Sequence, residues 1–420
     1  MILFIVFTGC TKKENYTGTS KVILKYAIFS TPQFASLEKE LIADFESKNP
    51  DIKVEMRIEP YNAHHQKIQI ELAGGTAPDL WLTDGVFIME WAERGVIEEL
   101  TELFNSWMKP EEYFGLQALR DPDGKLWGIP KEIQTFGLFY NKDVFDRYGV
   151  PYPNESWTWD DLLEAAKALT KDTDGDERID IYGLGGQSLA ANVANMIYQN
   201  GGSILDKRRR NSLLETPEAR EAIKFVFSLY KQRLMPTIPE TSKAFGHELD
   251  MFQMGRMAMF WGNYSYVNAI KATQPLLNYS VAFPPKKVSR HCYYDPNAFV
   301  ITRGRPSVIK KAAWRYIEYH SGLEAQTKLG REGEGLPFNR TAVTLVVDTE
   351  YAKKHNLKVF AEMVEQSVDF DVNGCWRQWI DVFSRELEKG LLGIVPTENV
   401  ADNAHREVQK VLDSYYSSEN

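Results

Sequence analysis

A chain of 420 residues is too long for one ordinary hydrophobic core, so two domains are expected. Its composition, 43% hydrophobic and 25% charged, is that of an ordinary folded soluble protein. A net charge of -9, with acidic and basic residues interleaved, leaves no broad basic surface and excludes a nucleic acid as partner.

Met1 to Phe7 form a short apolar run, followed by Thr8-Gly9-Cys10 and the polar, turn-prone stretch Thr11 to Ser20. Small residues directly before a cysteine, after an apolar segment, resemble the lipobox of bacterial lipoprotein precursors. The resemblance implies that Cys10 is lipidated, that residues 1–20 are signal and tether, and that the protein is extracytoplasmic and membrane-anchored. No Lys or Arg precedes the run, which fits a native start upstream of Met1. No later stretch approaches the roughly 18 consecutive apolar residues of a membrane helix.

Val22 to Phe29 reads as a strand, and Leu37, Leu41 and Phe45 recur at helical spacing before Asn49-Pro50 stops the helix. Ile52, Val54, Met56 and Ile58 alternate as a half-buried strand. A helix from about Asn62 to Ala73 ends at Gly74-Gly75 and leads into the apolar strand Asp79 to Leu82. Strand, helix, strand, helix, strand predicts a parallel sheet with crossover helices, whose ligands sit beyond the carboxyl ends of the strands. Those ends are Phe29-Ser30-Thr31, Pro60-Tyr61 and Thr83-Asp84.

Further on, Asp121 to Lys125 is a turn beside a short strand, Leu126 to Pro130. The chain is apolar from Gln134 through Tyr140, and Asn141 begins a helix that Gly149 closes. Thr158 and Asp161 form a capping box before the helix Leu162 to Leu169. Helical patterns follow around Asn192 to Asn200, Pro217 to Gln232 and Ala244 to Gly255, then a strand at Met257 to Trp261. Lys207 to Arg210 reads as a solvated basic loop. Cys292 and Cys375 are either a bridge or, the preferred reading, two unrelated buried thiols. Asp172, Asp174, Asp176 and Asp180 follow the one-three-five-nine spacing of a calcium loop. Glycine stands at the fourth position instead of the sixth, and Gly183 at the twelfth instead of Glu, so an acidic surface turn is the alternative.

Several segments together resemble the extracellular solute-binding proteins of ABC importers, of the maltose- and oligosaccharide-binding kind. They are Gly75-Thr-Ala-Pro-Asp-Leu-Trp81, Gly95-Val-Ile-Glu-Glu-Leu100, Gly124-Lys-Leu-Trp-Gly-Ile-Pro130, Leu138-Phe-Tyr-Asn-Lys-Asp143, Trp157-Thr-Trp-Asp-Asp161, Phe252 to Met259 and Gly335-Leu-Pro-Phe-Asn-Arg340, in order over residues 21 to 345. The resemblance implies a two-lobed α/β periplasmic-binding-protein fold, each lobe a sheet flanked by helices, joined by hinge crossovers near 130, 296 and 338. The lobes would be 21–130 with 297–337, and 131–296 with 338–420. It also implies a carbohydrate or related polar solute in the cleft, the membrane subunits of an ABC permease as partners, a monomeric state, no catalytic residues and no required cofactor.

A sugar presents C–H patches that pack on aromatic faces and hydroxyls that need paired donors and acceptors once water is excluded. By the family pattern Tyr264, in Gly262-Asn-Tyr264, is a stacking plate, with a rim or core tyrosine as the alternative. Trp376 is another plate by the same pattern, and Trp379, three residues away, is the candidate for the packed one. Gln134 matches a position that meets the ligand or makes a hinge hydrogen bond. Thr83 and Asp84 lie at a strand's carboxyl end, where a carboxylate can accept two hydroxyl protons, whereas Asp79 is structural. Tyr61, Ser30 and Asn297 are candidates by position. A secreted glycan-cleaving enzyme would need a carboxyl pair flanking the scissile bond, and no local constellation singles one out. A surface carbohydrate adhesin would leave the lobe-crossing motifs unexplained.

Overall fold

The computed structural model describes residues 21–30, 32–186, 188–237, 240 and 248–417, so Cys10 lies outside the described residues. Two mixed sheets, each flanked by helices, organise the chain. In the first, β1 (Val22–Phe29) pairs in parallel with β2 (Ile52–Glu59) on one side and β3 (Leu80–Asp84) on the other. The connections are the helices Pro32–Lys48 and Tyr61–Ala73. The first ends where Asn49 donates its side-chain amide to Phe45 O at 2.9 Å and Pro50 can donate nothing. The second ends on Gly74 and on Gly75, whose φ of 68° favours glycine. Asp79 is structural as expected: it accepts from Lys25 N at 3.0 Å and pairs with Arg305 at 2.8 Å.

The parallel expectation holds only for these three strands. β9 (Tyr293–Ile301) runs antiparallel to β3, β4 (Ile129–Gln134) antiparallel to β9, and the two-residue β10 (Val368–Asp369) parallel to the start of β9. β4 also starts later than its expected Leu126. Asp121 accepts from Asp123 N and Lys125 N, which holds the turn closed, and Leu126 makes only an isolated bridge to Arg120.

The second sheet orders β6 (Tyr182–Gly185), β7 (Met257–Asn263), β5 (Phe136–Asn141) and β8 (Tyr279–Ala282). Phe139 on fully buried β5 stacks on Phe260 at 4.8 Å and on Tyr279 at 5.9 Å. Asn141 caps the helix Lys142–Tyr148 by accepting from Val144 N, and Gly149 closes it at φ 65°. The Thr158–Asp161 capping box is present at the start of Trp159–Leu169.

β4 and β5 are separated by Thr135 alone, so the chain passes from one sheet to the other there. On its return Leu336 exchanges backbone hydrogen bonds with Ile133 at 2.8 and 3.1 Å. Gly335 permits this approach, because a Cβ there would lie 2.2 Å from Glu132 Cγ. Between these crossings sits a buried ionic cluster. Lys131, 1% exposed, pairs with Glu334 at 2.6 Å, Glu132 at 3.6 Å and Glu38 at 3.9 Å. Glu38 also meets His320 at 3.5 Å and accepts from the Tyr316 hydroxyl at 2.6 Å. Burial works against ionised Glu38, yet the His320 ring and Lys131 hold its carboxyl down at about 2. Burial pushes Glu132 up to about 7 and raises Glu334, in both cases against the pull of Lys131.

Candidate functional site

A cleft of about 320 Å³ opens where the carboxyl ends of β1 and β3 meet the crossing between the sheets. Phe29 ends β1, Tyr61 follows β2, and Asp84 ends β3. Gln134 ends β4, Asp295 and Asn297 lie on β9, and the second sheet contributes Phe136 and Asn263, with Ser265 just beyond. Phe29, Tyr61 and Asp84 belong to the strand ends read from the sequence, and all three line this cleft.

Tyr61 stands edge-on to Phe29, 5.1 Å between centroids, and its hydroxyl donates to Asp84 Oδ2 at 2.7 Å. Burial, then the Asp84 charge, raises the Tyr61 hydroxyl well above its ordinary range, so it stays a donor. The other oxygen of Asp84 accepts from Val86 N at 3.3 Å and caps the short turn Gly85–Phe87. Gly85 lets β9 approach this turn, since a Cβ would sit 2.7 Å from Pro296 O and 3.0 Å from Asp295 Oδ1. Asp295 therefore lies against Asp84, and its carboxyl is pushed well up by burial and then by that charge. Asn297, the register partner of Asp84, donates to Glu132 Oε1 at 2.5 Å and ties the cleft to the buried cluster. Gln134 donates to Glu334 O at 3.4 Å, while its Oε1 is buried without a donor.

Tyr61, Asp84, Gln134 and Asn297 are thus brought together, and Ser30 sits one residue past Phe29 with its amide on Glu59 O at 3.2 Å. Three expected contacts lie elsewhere. Thr83 is fully buried, its hydroxyl accepting from Trp91 Nε1 at 3.3 Å, because the inward face of β3 points into the core. Tyr264 is 3% exposed, donates to Gly330 O at 3.2 Å and packs edge-on to Phe360; it is a core tyrosine and does not line the cleft. Trp376 does not line it either. It meets Phe87 at 5.4 Å, and Trp379, fully buried with its indole on Asn373 Oδ1 at 3.0 Å, is the packed tryptophan.

Phe29 was expected only as part of a strand end, and Phe136, Asn263, Ser265, Tyr293 and Asp295 were not expected. For two of them a signal existed: Tyr293, Asp295 and Asn297 recur every second residue, so one strand face carries all three.

Around the cleft the lobes touch. Arg377 donates to Glu90 Oε2 at 2.8 Å and lies 3.6 Å over the Phe87 ring, and Gly374 N donates to Glu93 Oε1 at 3.0 Å. The basic run is more than a solvated loop: Arg208 reaches Asp123 at 3.3 Å, Arg209 donates to Val372 O and Arg210 covers Tyr416. Cys292 and Cys375 are buried free thiols, and burial pushes Cys292 up to about 12.

Far from the cleft, carboxylate oxygens of Asp172, Asp174 and Asp176 lie within 4.8 Å of one another and are exposed. Asp180 does not join them; it accepts from Thr173 N at 2.8 Å and from the Thr173 hydroxyl. Among the described residues no helix is long and apolar enough to cross a membrane.

Comparison with known proteins matches residues 30–327 to the family described as bacterial extracellular solute-binding protein. A binding protein of Brucella abortus is 24% identical over 398 residues, 93% of this chain and 92% of that one. The melibiose/raffinose/stachyose-binding protein of Bacillus subtilis is 26% identical over 41% of this chain and 39% of its own length. Among solved structures, an ABC substrate-binding protein of Listeria monocytogenes in complex with cycloalternan superposes with a TM-score of 0.81 at 25% identity, covering 94% of this chain and 99% of that one.

Proposed function

The chain belongs to the bacterial extracellular solute-binding proteins, and from that premise we propose that it captures a carbohydrate between its lobes and delivers it to the membrane subunits of an ABC importer. Membership places the protein outside the cytoplasm. The observation that carries the substrate class is the cleft itself. Phe29, Tyr61, Phe136 and Tyr293 supply aromatic lining, while Asp84, Asp295, Gln134, Asn263 and Asn297 offer acceptors and donors beside them. Apolar rings with interleaved hydrogen-bonding groups match the two surfaces of a sugar.

The protein acts as a binder that returns its solute unchanged, working as a monomer tethered by lipid at Cys10. The tether is supported by Thr8-Gly9-Cys10 after an apolar run. A melting-temperature screen over mono-, di- and oligosaccharides, polyols and amino sugars tests the reading, since a ligand held only by the folded state stabilises it by about 2.7 kcal/mol at 100 times its Kd. A rise with sugars recovered intact is expected. Shortened oligosaccharides would make it an enzyme, and no rise across the panel would remove carbohydrate as substrate class.

Calcium in the Asp172–Asp176 loop belongs to the same proposal, supported by three converging carboxylates. Chelation is expected to lower the melting temperature of the solute-free protein and Asp174→Ala to erase that difference; identical melting with calcium and with chelator makes the loop an ordinary acidic turn.

A further inference from the structure

We propose that the cleft selects a solute bearing a protonated amine, seated between Asp84 and Asp295; resting on the carbohydrate reading above, this makes the solute an amino sugar.

The first ground is charge. Two carboxyl groups adjoin in the cleft, and none of its lining residues is Lys, Arg or His. Lys131 is committed to Glu38, Glu132 and Glu334, and Arg377, outside the cleft lining, pairs with Glu90 and covers the Phe87 face. The groups facing Asp295 from each neighbouring element are Asp84 at the end of β3, Tyr61 on the helix Tyr61–Ala73, Glu132 on β4 and Tyr293 on β9 itself. Two are tyrosines and two are carboxyls, and Arg377 acts on Tyr61 from the helix Trp376–Leu391. The second ground is unmet acceptor capacity: Gln134 Oε1 is buried with no donor, and Asp295 Oδ1 has none beyond the adjoining Asp84 carboxyl and Val86 amide. The third is the wall. Phe29, Tyr61, Phe136 and Tyr293 line the cleft with the carboxylates, and an aromatic wall suits a cation better than an anion.

These features separate an amine from a hydroxyl. In the empty cleft the adjoining carboxyls repel, and burial together with the Asp84 charge keeps the proton on Asp295. A neutral hydroxyl can donate to that pair but cannot replace its proton. An ammonium can: it donates to both carboxyl groups, Asp295 ionises, and its proton leaves to solvent. Burial and the Asp84 charge raise Asp295 in the empty cleft, whereas the bound ammonium lowers it. While the amine stays protonated, its binding therefore strengthens as pH rises towards the titration of Asp295 in the empty cleft.

The test is calorimetry on the intact protein with glucosamine and its β-1,4-linked oligomers, against the corresponding glucose and N-acetylglucosamine compounds, in two buffers of different ionisation enthalpy. The amine form is expected to bind roughly 10- to 100-fold more tightly than both neutral forms, the scale of a charge-assisted hydrogen bond. About one proton should be released. Asp295→Asn should collapse the preference, whatever its absolute affinity, and Asp84→Asn serves if the first variant fails to fold. Neutral forms binding as tightly as the amine, or an undiminished preference in the variants, overturns the inference and leaves the carbohydrate reading intact. Ethylammonium binding as tightly as the amino sugar supports the cation site and overturns the carbohydrate reading. Binding of none overturns both.

Discussion

Replacing Lys131 by Met is expected to destabilise the protein by about 3–5 kcal/mol, the scale of leaving a buried charge without its partner. Methionine keeps most of the volume, so the loss reports charge and not a cavity. Lys131 is the cation common to Glu38, Glu132 and Glu334, at a point where both chain crossings converge. Without it Glu38 keeps His320 and Tyr316, and Glu132 keeps Asn297, but the net charge of the cluster is uncompensated.

The pH dependence fixes the interpretation. Glu132 sits at about 7 in the fold, above its unfolded value, so the native state binds more protons between the two and stability falls as pH rises through that window. Glu38 acts oppositely: held at about 2, it contributes stability above its unfolded value that is lost as pH falls towards 2. Removing Lys131 lets Glu132 and Glu334 hold their protons to still higher pH, so the deficit should be smaller at pH 5 than at pH 8. Urea unfolding at both values checks this, and an equal deficit would assign the loss to packing.

The first three strands were legible because each fact about them is local: β2 alternates over four residues, and Gly74-Gly75 and Asn49-Pro50 punctuate the helices. β9 was not. Its nine residues pair with β3 and β4, more than 150 positions away, and its continuously apolar second half shows no period. The site divides likewise. Tyr61 and Asp84 follow from the rule that ligands sit at strand ends, and Asn297 sits across the ladder from Asp84. Tyr264 misled because an aromatic after β7 looks the same in sequence whether its ring turns to the cleft or, as here, onto Gly330 and Phe360. Family pattern supplies a position, and packing decides a rotamer. The Lys131 cluster was beyond reach, since its members are scattered from Glu38 to Glu334 and each alone reads as an ordinary surface charge.

Trp376→Ala is expected to weaken solute binding by about 5- to 150-fold, the equivalent of about 1–3 kcal/mol for a large apolar side chain removed from its contact. Trp376 begins the helix Trp376–Leu391 on the second lobe and packs on Phe87 beyond β3 of the first, alongside the Glu90–Arg377 pair. These contacts join the two lobes, so removing one lowers the population in which the lobes meet, and apparent affinity falls in proportion to that population. Phe87 is outside the cleft lining and supplies the control. Phe87→Ala should weaken binding comparably, and the double variant should lose less than the product of the two, because each side chain acts through the other. Multiplying losses would mean that Trp376 touches the solute directly. Labels replacing the exposed Lys48 and Lys231, one on each lobe, should approach on adding the saccharide that raises the melting temperature most, and in the variants should do so only at higher concentration. An inter-lobe distance unchanged at saturation in the unsubstituted protein would remove hinge closure as the mechanism.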